Sequence, residues 1–441
     1  MTHTLIYPVH SAHNTVGHLE IDGCDVVSLA RQYGTPLVIY EEKTLRDQCR
    51  RFVEAFRLRT AESEIIYASK ALPIVALFQL VEEEGLSLDV ASGGEYHTAL
   101  AAGFPTERIF FHGNNKSPWE LEYALQHGIG TVVVDSVDEM ELLERLLQVR
   151  GARQRVLLRI TPGIEAHTHE YIQTGQIDSK FGFGLAGGAA LESIGRAMGS
   201  PSLDLWGLHA HIGSQIFELD SYRGEIRVLA DLMREAKDRF GFDCRWLNAG
   251  GGLGVRYTPD DSPAPIDSYA EVVCRGVEEE MARVGLPMPR ILIEPGRSVV
   301  GPAGITLYTV GGVKEIPHVR TYVSVDGGMT DNPRPEDYGK SKWYLPPSCA
   351  KVAENAPQLC QPDDYCRRVV WVVLDREKCQ EVVEKARERG KEAGGERVLS
   401  LLLKGPKTLA DLSETTGIDE RELGHLMGTM AKNKLVIRRK I

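Results

Sequence analysis

The sequence predicts an eight-stranded (β/α)8 (TIM) barrel, together with a β domain that is incomplete at its C-terminal end and a small C-terminal helical segment. Two observations predict the barrel. Short β-rich runs recur through the first three hundred residues, and a segment with helical periodicity follows each of them. Eight such units in a row match the strand–helix alternation of a closed parallel barrel, whereas a doubly wound open sheet would use fewer.

The predicted elements follow one another along the chain. The eight barrel strands are Ile65–Ser69, Leu86–Ala91, Arg108–His112, Thr131–Asp135, Arg155–Ile160, Leu205–His211, Arg245–Ala249 and Arg290–Glu294. Helical patterns between them include Leu72–Glu84, Gly94–Ala102, Pro118–His127 and Val137–Val149. Outside the barrel, similar β-rich runs predict strands at Thr35–Tyr40, Gly304–Val310 and Thr321–Asp326.

Polar residues at the ends of these strands indicate a functional site. In a parallel barrel all the carboxyl ends of the strands meet at one mouth, where active sites form. The predicted ends are Ser69-Lys70, Asp89–Ser92, His112–Asn114, Asp135-Ser136, Arg159, His209–Ser214, Asn248–Gly252 and Glu294–Arg297. A single polar strand end is ordinary, but eight at one mouth that include a lysine, a glutamate and an arginine predict a site.

Lys70 is the most informative of these residues, because it follows the apolar run Ile65–Ser69 directly. A lysine at a strand end is in most cases a solvated surface residue. A lysine amine can also form a Schiff base with an aldehyde. The other strand ends favour this second interpretation.

These other strand ends together fit a phosphorylated ring. The glycine cluster Gly250–Gly254 lets backbone N–H groups approach a phosphate, since no Cβ intervenes. Ser214 and Arg297 can add donors, Glu294 can pair with a protonated ring nitrogen, and His211 can stack. An amine, a phosphate cradle, a carboxylate and a stacking ring predict a pocket for pyridoxal 5'-phosphate, PLP.

Taken together, these motifs resemble the alanine-racemase-type PLP decarboxylases, and specifically the diaminopimelate decarboxylases. The resemblance covers roughly residues 20 to 340, and it includes Tyr67–Ala71, His167–His169, Thr174-Gly175, Ser179–Gly182, His209–Gln215, Gly250–Gly254, Glu294–Gly301, Asp326–Met329, Arg334-Pro335 and Tyr338-Gly339. Ornithine and arginine decarboxylases share the barrel and Glu-Pro-Gly-Arg. Ser179–Gly182 and Ser298–Gly301 favour the diaminopimelate branch.

The resemblance implies a role for each site residue. Lys70 would bind PLP covalently, His211 would stack on the ring, and Glu294 would keep the ring nitrogen protonated. The phosphate would bind to Ser214, Gly251, Gly252, Gly296 and Arg297, and the substrate carboxylates to Arg297, Arg334 and Tyr338. The implied reaction converts meso-diaminopimelate into L-lysine and CO₂ in a homodimer, with no metal ion.

After Tyr338-Gly339 the resemblance stops. The family pattern continues with Cys-Glu-Ser-Gly-Asp, whose Cys and Glu complete the site of the partner subunit, but no cysteine of this chain precedes Glu-Ser-Gly. The residues Asp363–Trp371 can be back-translated with permitted codons. The same bases, read one position later, can encode a segment similar to the family strand that leads to this cysteine. One hypothesis is therefore that residues 341–374 are translated out of frame, and one alternative function is a chimeric product that binds PLP without turnover.

The last segment differs again, since residues 375–441 have a net charge of +3 while residues 1–374 have −14. Residues 398–441 are predicted as three helices and a strand, Leu435–Arg439, in an order that resembles a winged helix. A second alternative is therefore a DNA-binding regulator. We favour a small fused interaction domain with a solvated basic tail, since the total charge of −11 argues against general nucleic-acid binding.

Composition places the chain among reduced cytoplasmic proteins. Its eight cysteines have scattered spacings, and no apolar run is long enough to cross a bilayer. We also expect no signal peptide, because Met1–Thr4 is not a basic region followed by an apolar core. The predicted segments are the β domain at 1–36 and 301–340, the PLP-binding barrel at 37–300, the divergent segment at 341–374 and the helical segment at 375–441.

Overall fold

We describe a computed structural model of the chain, which covers residues 6–164, 179–257, 261–316, 320–328, 369–373 and 436–440 and five single positions between 402 and 427. The described residues fall into two compact units. One consists of Glu42–Arg256 and Asp260–Ala303, and the other of Met1–Glu41, Tyr257–Pro259 and Gly304–Ile441. The predicted segment limits at residues 36, 300, 340 and 374 stay predictions.

The unit that contains the N-terminus is built from short antiparallel sheets. It begins with β1 Ser11–His13, β2 Leu19–Ile21, β3 Cys24–Asp25, α1 Val26–Tyr33 and β4 Leu37–Tyr40. Strands β1, β2 and β3 form one sheet. Asp25 begins α1 by accepting hydrogen bonds from the N–H groups of Val27 and Ser28, a favourable N-cap.

The second unit is the barrel, whose strands and helices alternate. Its elements are α2 Glu42–Arg57, β5 Ser63–Ala68, α3 Val75–Glu83, β6 Ser87–Val90, α4 Gly93–Ala101, β7 Ile109–Phe111, α5 Pro118–Gln126, β8 Thr131–Val134, α6 Val137–Arg150, β9 Gln154–Thr161, β10 Phe183–Gly184, α7 Ala189–Gly199, β11 Leu203–Ala210, α8 Asp220–Phe240, β12 Trp246–Asn248, α9 Ile266–Val284, β13 Arg290–Ile293 and α10 Arg297–Val300.

Eight of these strands close into a ring. The parallel pairs run from β5 through β6, β7, β8, β9, β11 and β12 to β13, and β13 pairs with β5. Side chains from several strands fill the interior, among them Ile66, Phe110, Val133, Leu157, Trp246 and Leu292. The predicted barrel is confirmed, and each predicted strand coincides with an observed strand to within three residues at either end.

The strands after the barrel confirm the predicted β domain. They are β14 Gly304–Leu307, β15 Val310–Ile316 and β16 Arg320–Val325. Strand β14 pairs antiparallel with β4, and β15 pairs with β16. An apolar cluster that includes Leu19, Ile21, Val26, Ile305 and Leu307 joins the first and last parts of this unit.

The far C-terminal region contributes β17 Val369–Val373 and β18 Val436–Lys440, which pair antiparallel. Leu402, Leu412, Leu423 and Met427 are helical and buried. Strand β18 coincides with the predicted strand, while the winged-helix arrangement stays a prediction. Among the helices that the structure describes, we find none with the length and apolar character that crossing a membrane requires.

Candidate active site

Lys70 lies at the carboxyl end of the first barrel strand. It follows β5 in a single 3₁₀ turn, Ser69–Ala71, and its side chain is exposed while Ser69 is fully buried. The Ser69 hydroxyl donates to Glu95 at 2.8 Å, and the N–H of Ala91 donates to the same carboxylate at 2.6 Å. This network fixes the backbone under Lys70 and leaves its amine at the barrel mouth.

Glu294, which follows β13, is the centre of a buried polar cluster. Its Oε1 lies 2.8 Å from Nε2 of His112 and accepts a hydrogen bond from the Asn248 amide at 2.7 Å. Its Oε2 lies 3.1 Å from Nε2 of His209. The three partners lie at the carboxyl ends of the strands β7, β11 and β12, so the carboxylate is held from several sides.

The electrostatics of this cluster keep Glu294 ionised. Burial acts to raise the pKa of Glu294, but the contacts with His112 and His209 outweigh it, and the pKa lies well below its usual value. Burial also lowers the pKa of His209 to about 4, so His209 is neutral at pH 7. Glu294 therefore remains a buried negative charge at the barrel mouth.

Asp89 is a second buried carboxyl group, on β6. Burial raises its pKa to about 6, and the charge of Glu294 acts in the same direction, while His112 and Lys70 oppose the rise. Its Oδ1 has no hydrogen-bond partner among the described residues. Asp89 therefore changes its protonation close to neutral pH.

The glycine turn after β12 is held tightly against its neighbours. Gly250 and Gly252 have φ values of +62° and +107°, which favour glycine. A Cβ on Gly251 would collide with the carbonyl oxygen of Glu294, and one on Gly252 with the carbonyl oxygen of Gly213. The sequence Gly250–Gly252 is thus required by close backbone approach as well as by turn geometry.

His211 follows β11 and contacts this turn. The N–H of Gly251 donates to Nδ1 of His211 at 3.2 Å, which places the ring proton of the neutral imidazole on Nε2. Burial and the nearby positive charges of Lys70 and Arg159 hold the pKa of His211 well below its usual value. The ring is therefore neutral and fixed in one tautomer.

Arg297 and Ser214 meet at the same mouth. Nε and Nη2 of Arg297 both donate to the Ser214 hydroxyl, at 3.2 and 3.1 Å. Gly296 precedes Arg297, and a Cβ there would lie 3.0 Å from the Cβ of Ala68. The predicted donors thus lie side by side, and Gly296 allows the turn to approach the end of β5.

Not every polar strand end belongs to the site. Ser92 and Ser136 instead accept hydrogen bonds from the N–H groups of Glu95 and Glu139, so they are N-caps of α4 and α6. Arg159 stacks 4.3 Å from the ring of Phe181. Of the predicted residues, Arg334 and Tyr338 lie outside the described residues, as does the motif His167–Gly175.

Four functional candidates received no role from the sequence. Asp89, His112, His209 and Asn248 stand at strand ends that the sequence singles out, but their partners could not be read from it. The signal that the sequence offered was the position of each residue at a predicted strand end. These strand ends approach Glu294 or Lys70 only when the barrel closes.

Comparison with known proteins shows the family of this chain. Residues 42–301 match the family model described as "Pyridoxal-dependent decarboxylase, pyridoxal binding domain". The diaminopimelate decarboxylase of Bacillus subtilis (strain 168) is 52% identical over 328 residues, which is 74% of this chain and 75% of that protein. The enzyme of Bacillus methanolicus is 49% identical over 325 residues, 74% of this chain and 75% of that protein.

A solved structure shows the same similarity. Diaminopimelate decarboxylase from M. jannaschii in co-complex with L-lysine superposes with a TM-score of 0.69 at 32% identity, over 75% of this chain and 76% of that one. The family model matches more than half of the chain, and the sequence identity to the Bacillus enzymes is higher than a shared fold alone requires. The chain belongs to the pyridoxal-dependent decarboxylases and, among them, to the diaminopimelate decarboxylases.

Proposed function

We infer that this chain decarboxylates meso-2,6-diaminopimelate to L-lysine and CO₂ with PLP as its cofactor. The observation that supports this most is the convergence of Lys70, the Glu294 cluster and the Gly250–Gly252 turn at one barrel mouth. Family membership gives the reaction.

The residues at the mouth fit PLP. Gly250 and Gly252 have positive φ values, a turn geometry in which backbone N–H groups can form an anion-binding concavity. Arg297 and Ser214 supply charged and neutral donors close together. Glu294 stays ionised in a buried place, as a partner of a protonated ring nitrogen must.

Each residue then has a distinct task. When bound, PLP supplies an electron sink for the negative charge left by the departing CO₂. Lys70 provides the amine that holds the cofactor, and Glu294 holds a proton on the ring nitrogen. Neutral His211 packs against the ring, while Ser214, Gly252, Gly296 and Arg297 bind the phosphate. The predicted donor Gly251 instead gives its N–H to His211 and holds the turn in place.

We propose that Asp89 takes up and releases a proton at the barrel mouth, where the charge of Lys70 also acts on its pKa. Its pKa of about 6 leaves it mostly ionised at pH 7 yet able to accept a proton. We propose that Arg297, Arg334 and Tyr338 bind the substrate carboxylates, because a planar guanidinium matches a carboxylate bidentately.

Several finer features are proposals as well. We propose a cytoplasmic homodimer, in which the partner subunit would complete the site. The sequence has no Cys-Glu-Ser-Gly segment, so we expect the turnover to be weak. We further propose that residues 341–374 are a divergent, out-of-frame segment and that 375–441 form a small fused domain.

The decisive experiment incubates the purified full-length protein with PLP and meso-diaminopimelate and measures L-lysine and CO₂. Slow, PLP-dependent formation of lysine supports the proposal. PLP bound to Lys70 without any lysine formation would instead support the inactive, PLP-binding alternative. Full activity would show that another cysteine or solvent donates the final proton, and sequencing the coding DNA would decide the reading frame.

A further inference from the structure

The peptide groups of Gly251 are held from two sides. Its N–H donates to Nδ1 of His211 at 3.2 Å, and its carbonyl oxygen accepts a hydrogen bond from the Tyr222 hydroxyl at 3.1 Å. Tyr222 lies in the first turn of α8, and its side chain is fully buried. A helix on the outside of the barrel is thus connected through one glycine to the ring of His211.

The carbonyl contact constrains the next residue along the chain. In a planar trans peptide the C=O of one residue and the N–H of the next point in opposite directions. By holding the Gly251 carbonyl toward α8, Tyr222 directs the N–H of Gly252 to the other side of the turn. Glycine has the largest backbone freedom of all residues, so this turn has the most to lose without such a restraint.

A second tyrosine next to Tyr222 lacks this contact. Tyr269 on α9 is equally buried, and its ring centroid lies 4.9 Å from that of Tyr222 in an edge-to-face arrangement. Its hydroxyl has no hydrogen-bond partner among the described residues. The two phenols therefore share one environment and differ in whether they touch the glycine turn.

We propose that Tyr222 is a positioning residue for the phosphate-binding turn. Its hydroxyl fixes the peptide between Gly251 and Gly252 and so orients the Gly252 N–H, next to the peptide whose N–H contacts the His211 ring. The inference rests on the proposed PLP function of this mouth and adds to it a residue that does not touch the cofactor.

The test compares Tyr222→Phe with Tyr269→Phe in the full-length protein after cofactor removal. The dissociation constants of PLP and of pyridoxal, which lacks the phosphate, are measured by absorbance titration. One buried neutral hydrogen bond contributes about 0.5–1.5 kcal/mol, so Tyr222→Phe is expected to weaken PLP binding about two- to tenfold. Pyridoxal binding should change less than twofold, and Tyr269→Phe should leave both constants unchanged.

Two outcomes would overturn the inference. One is a ratio of PLP to pyridoxal affinity that Tyr222→Phe leaves unchanged, including an equal weakening of both, which would indicate general loosening of α8. The other is an equal fall of the ratio in Tyr269→Phe. If the unmodified protein does not bind PLP at Lys70, the proposed function itself fails, so the two failures are distinguishable.

Discussion

The two mouths of the barrel are both rich in charged and aromatic residues, yet they differ in how far these residues are paired. The amino-terminal mouth surrounds a cavity of about 560 Å³, lined in part by Ser63, Ser87, Arg108, Arg155, Trp246 and Arg290. The carboxyl-terminal mouth contains Lys70, Asp89, His112, His209, Glu294 and the glycine turn.

At the amino-terminal mouth two arginines have well-defined partners. Arg155 donates to the Thr131 hydroxyl at 2.7 Å and to the Glu107 carbonyl at 3.0 Å, and its guanidinium lies 5.0 and 4.7 Å from the rings of Trp206 and Trp246. Arg290 lies 3.2 Å from Glu64. Such a network stabilises the base of a barrel, where structural residues are expected.

At the carboxyl-terminal mouth pairing is incomplete. Oδ1 of Asp89 and Nδ1 of His209 are buried without a hydrogen-bond partner among the described residues, whereas no residue of the amino-terminal mouth has such an atom. A buried polar atom without a partner costs about 1–3 kcal/mol. Of the two mouths, the one where a ligand is to bind bears this cost, and four predictions test the comparison.

The largest effect is expected at Lys70. Lys70→Ala removes the amine that holds the cofactor, so lysine formation should fall by about a thousandfold or more. Borohydride reduction followed by peptide mass spectrometry should find the cofactor on Lys70 in the unmodified protein and nowhere in the variant. A label on another lysine would contradict the assignment.

The second effect separates the two mouths directly. Glu294→Gln removes the buried negative charge that would hold the ring nitrogen protonated, so kcat should fall about 100-fold. The matched control is Glu64→Gln at the opposite mouth, where Glu64 accepts from Ser87 and pairs with Arg290. The control should lower the free energy of unfolding by about 1 kcal/mol and leave kcat unchanged. Equal losses of kcat would break the comparison.

The third effect concerns stability alone. Arg155→Lys keeps the charge but loses the planar stacking between Trp206 and Trp246 and the forked hydrogen bonds. We expect the free energy of unfolding to fall by about 1–2 kcal/mol. Urea unfolding measures this fall, and the affinity for PLP should be unaffected. A weaker cofactor affinity would show that the two mouths are coupled.

The smallest effect concerns a buried carboxyl group that belongs to neither mouth. Both oxygens of Glu225 on α8 lack hydrogen-bond partners among the described residues. Burial, reinforced by the charge of Glu294, raises the pKa of Glu225 well above its usual value. The folded protein therefore binds a proton that the unfolded chain releases above about pH 4.3, and stability falls as the pH rises beyond that value.

Glu225→Gln removes this proton uptake. The variant should have a Tm about 3 °C higher than the unmodified protein at pH 8, and the difference should disappear near pH 4. Thermal unfolding followed by circular dichroism across this pH range measures it. A difference that is independent of pH would mean that Glu225 is ionised in the folded protein. It would also show that a buried carboxyl group without hydrogen-bond partners need not have a raised pKa.

Much of the fold could be predicted from local patterns. Alternation of β-rich and helical runs located all eight barrel strands, because each unit has its own periodicity and its own turn residues. The polar strand ends were a mixed signal, since Ser92 and Ser136 turned out to cap helices. A serine after a strand serves equally as a site residue and as an N-cap, and the sequence does not separate the two.

The sequence by itself determined which chemical groups stand at the carboxyl-terminal mouth. In a closed parallel barrel every strand delivers its last residue to the same end, so the order of Lys70, Glu294 and the glycine turn along the chain is sufficient. Only the tertiary structure decided which of these groups touch. His209, Asn248 and Tyr222 lie 85, 46 and 29 residues from their partners Glu294, Glu294 and Gly251. Contacts over such separations depend on strand register and helix packing, because a shift of one residue would turn a strand side chain such as His209 or Asn248 to the opposite face.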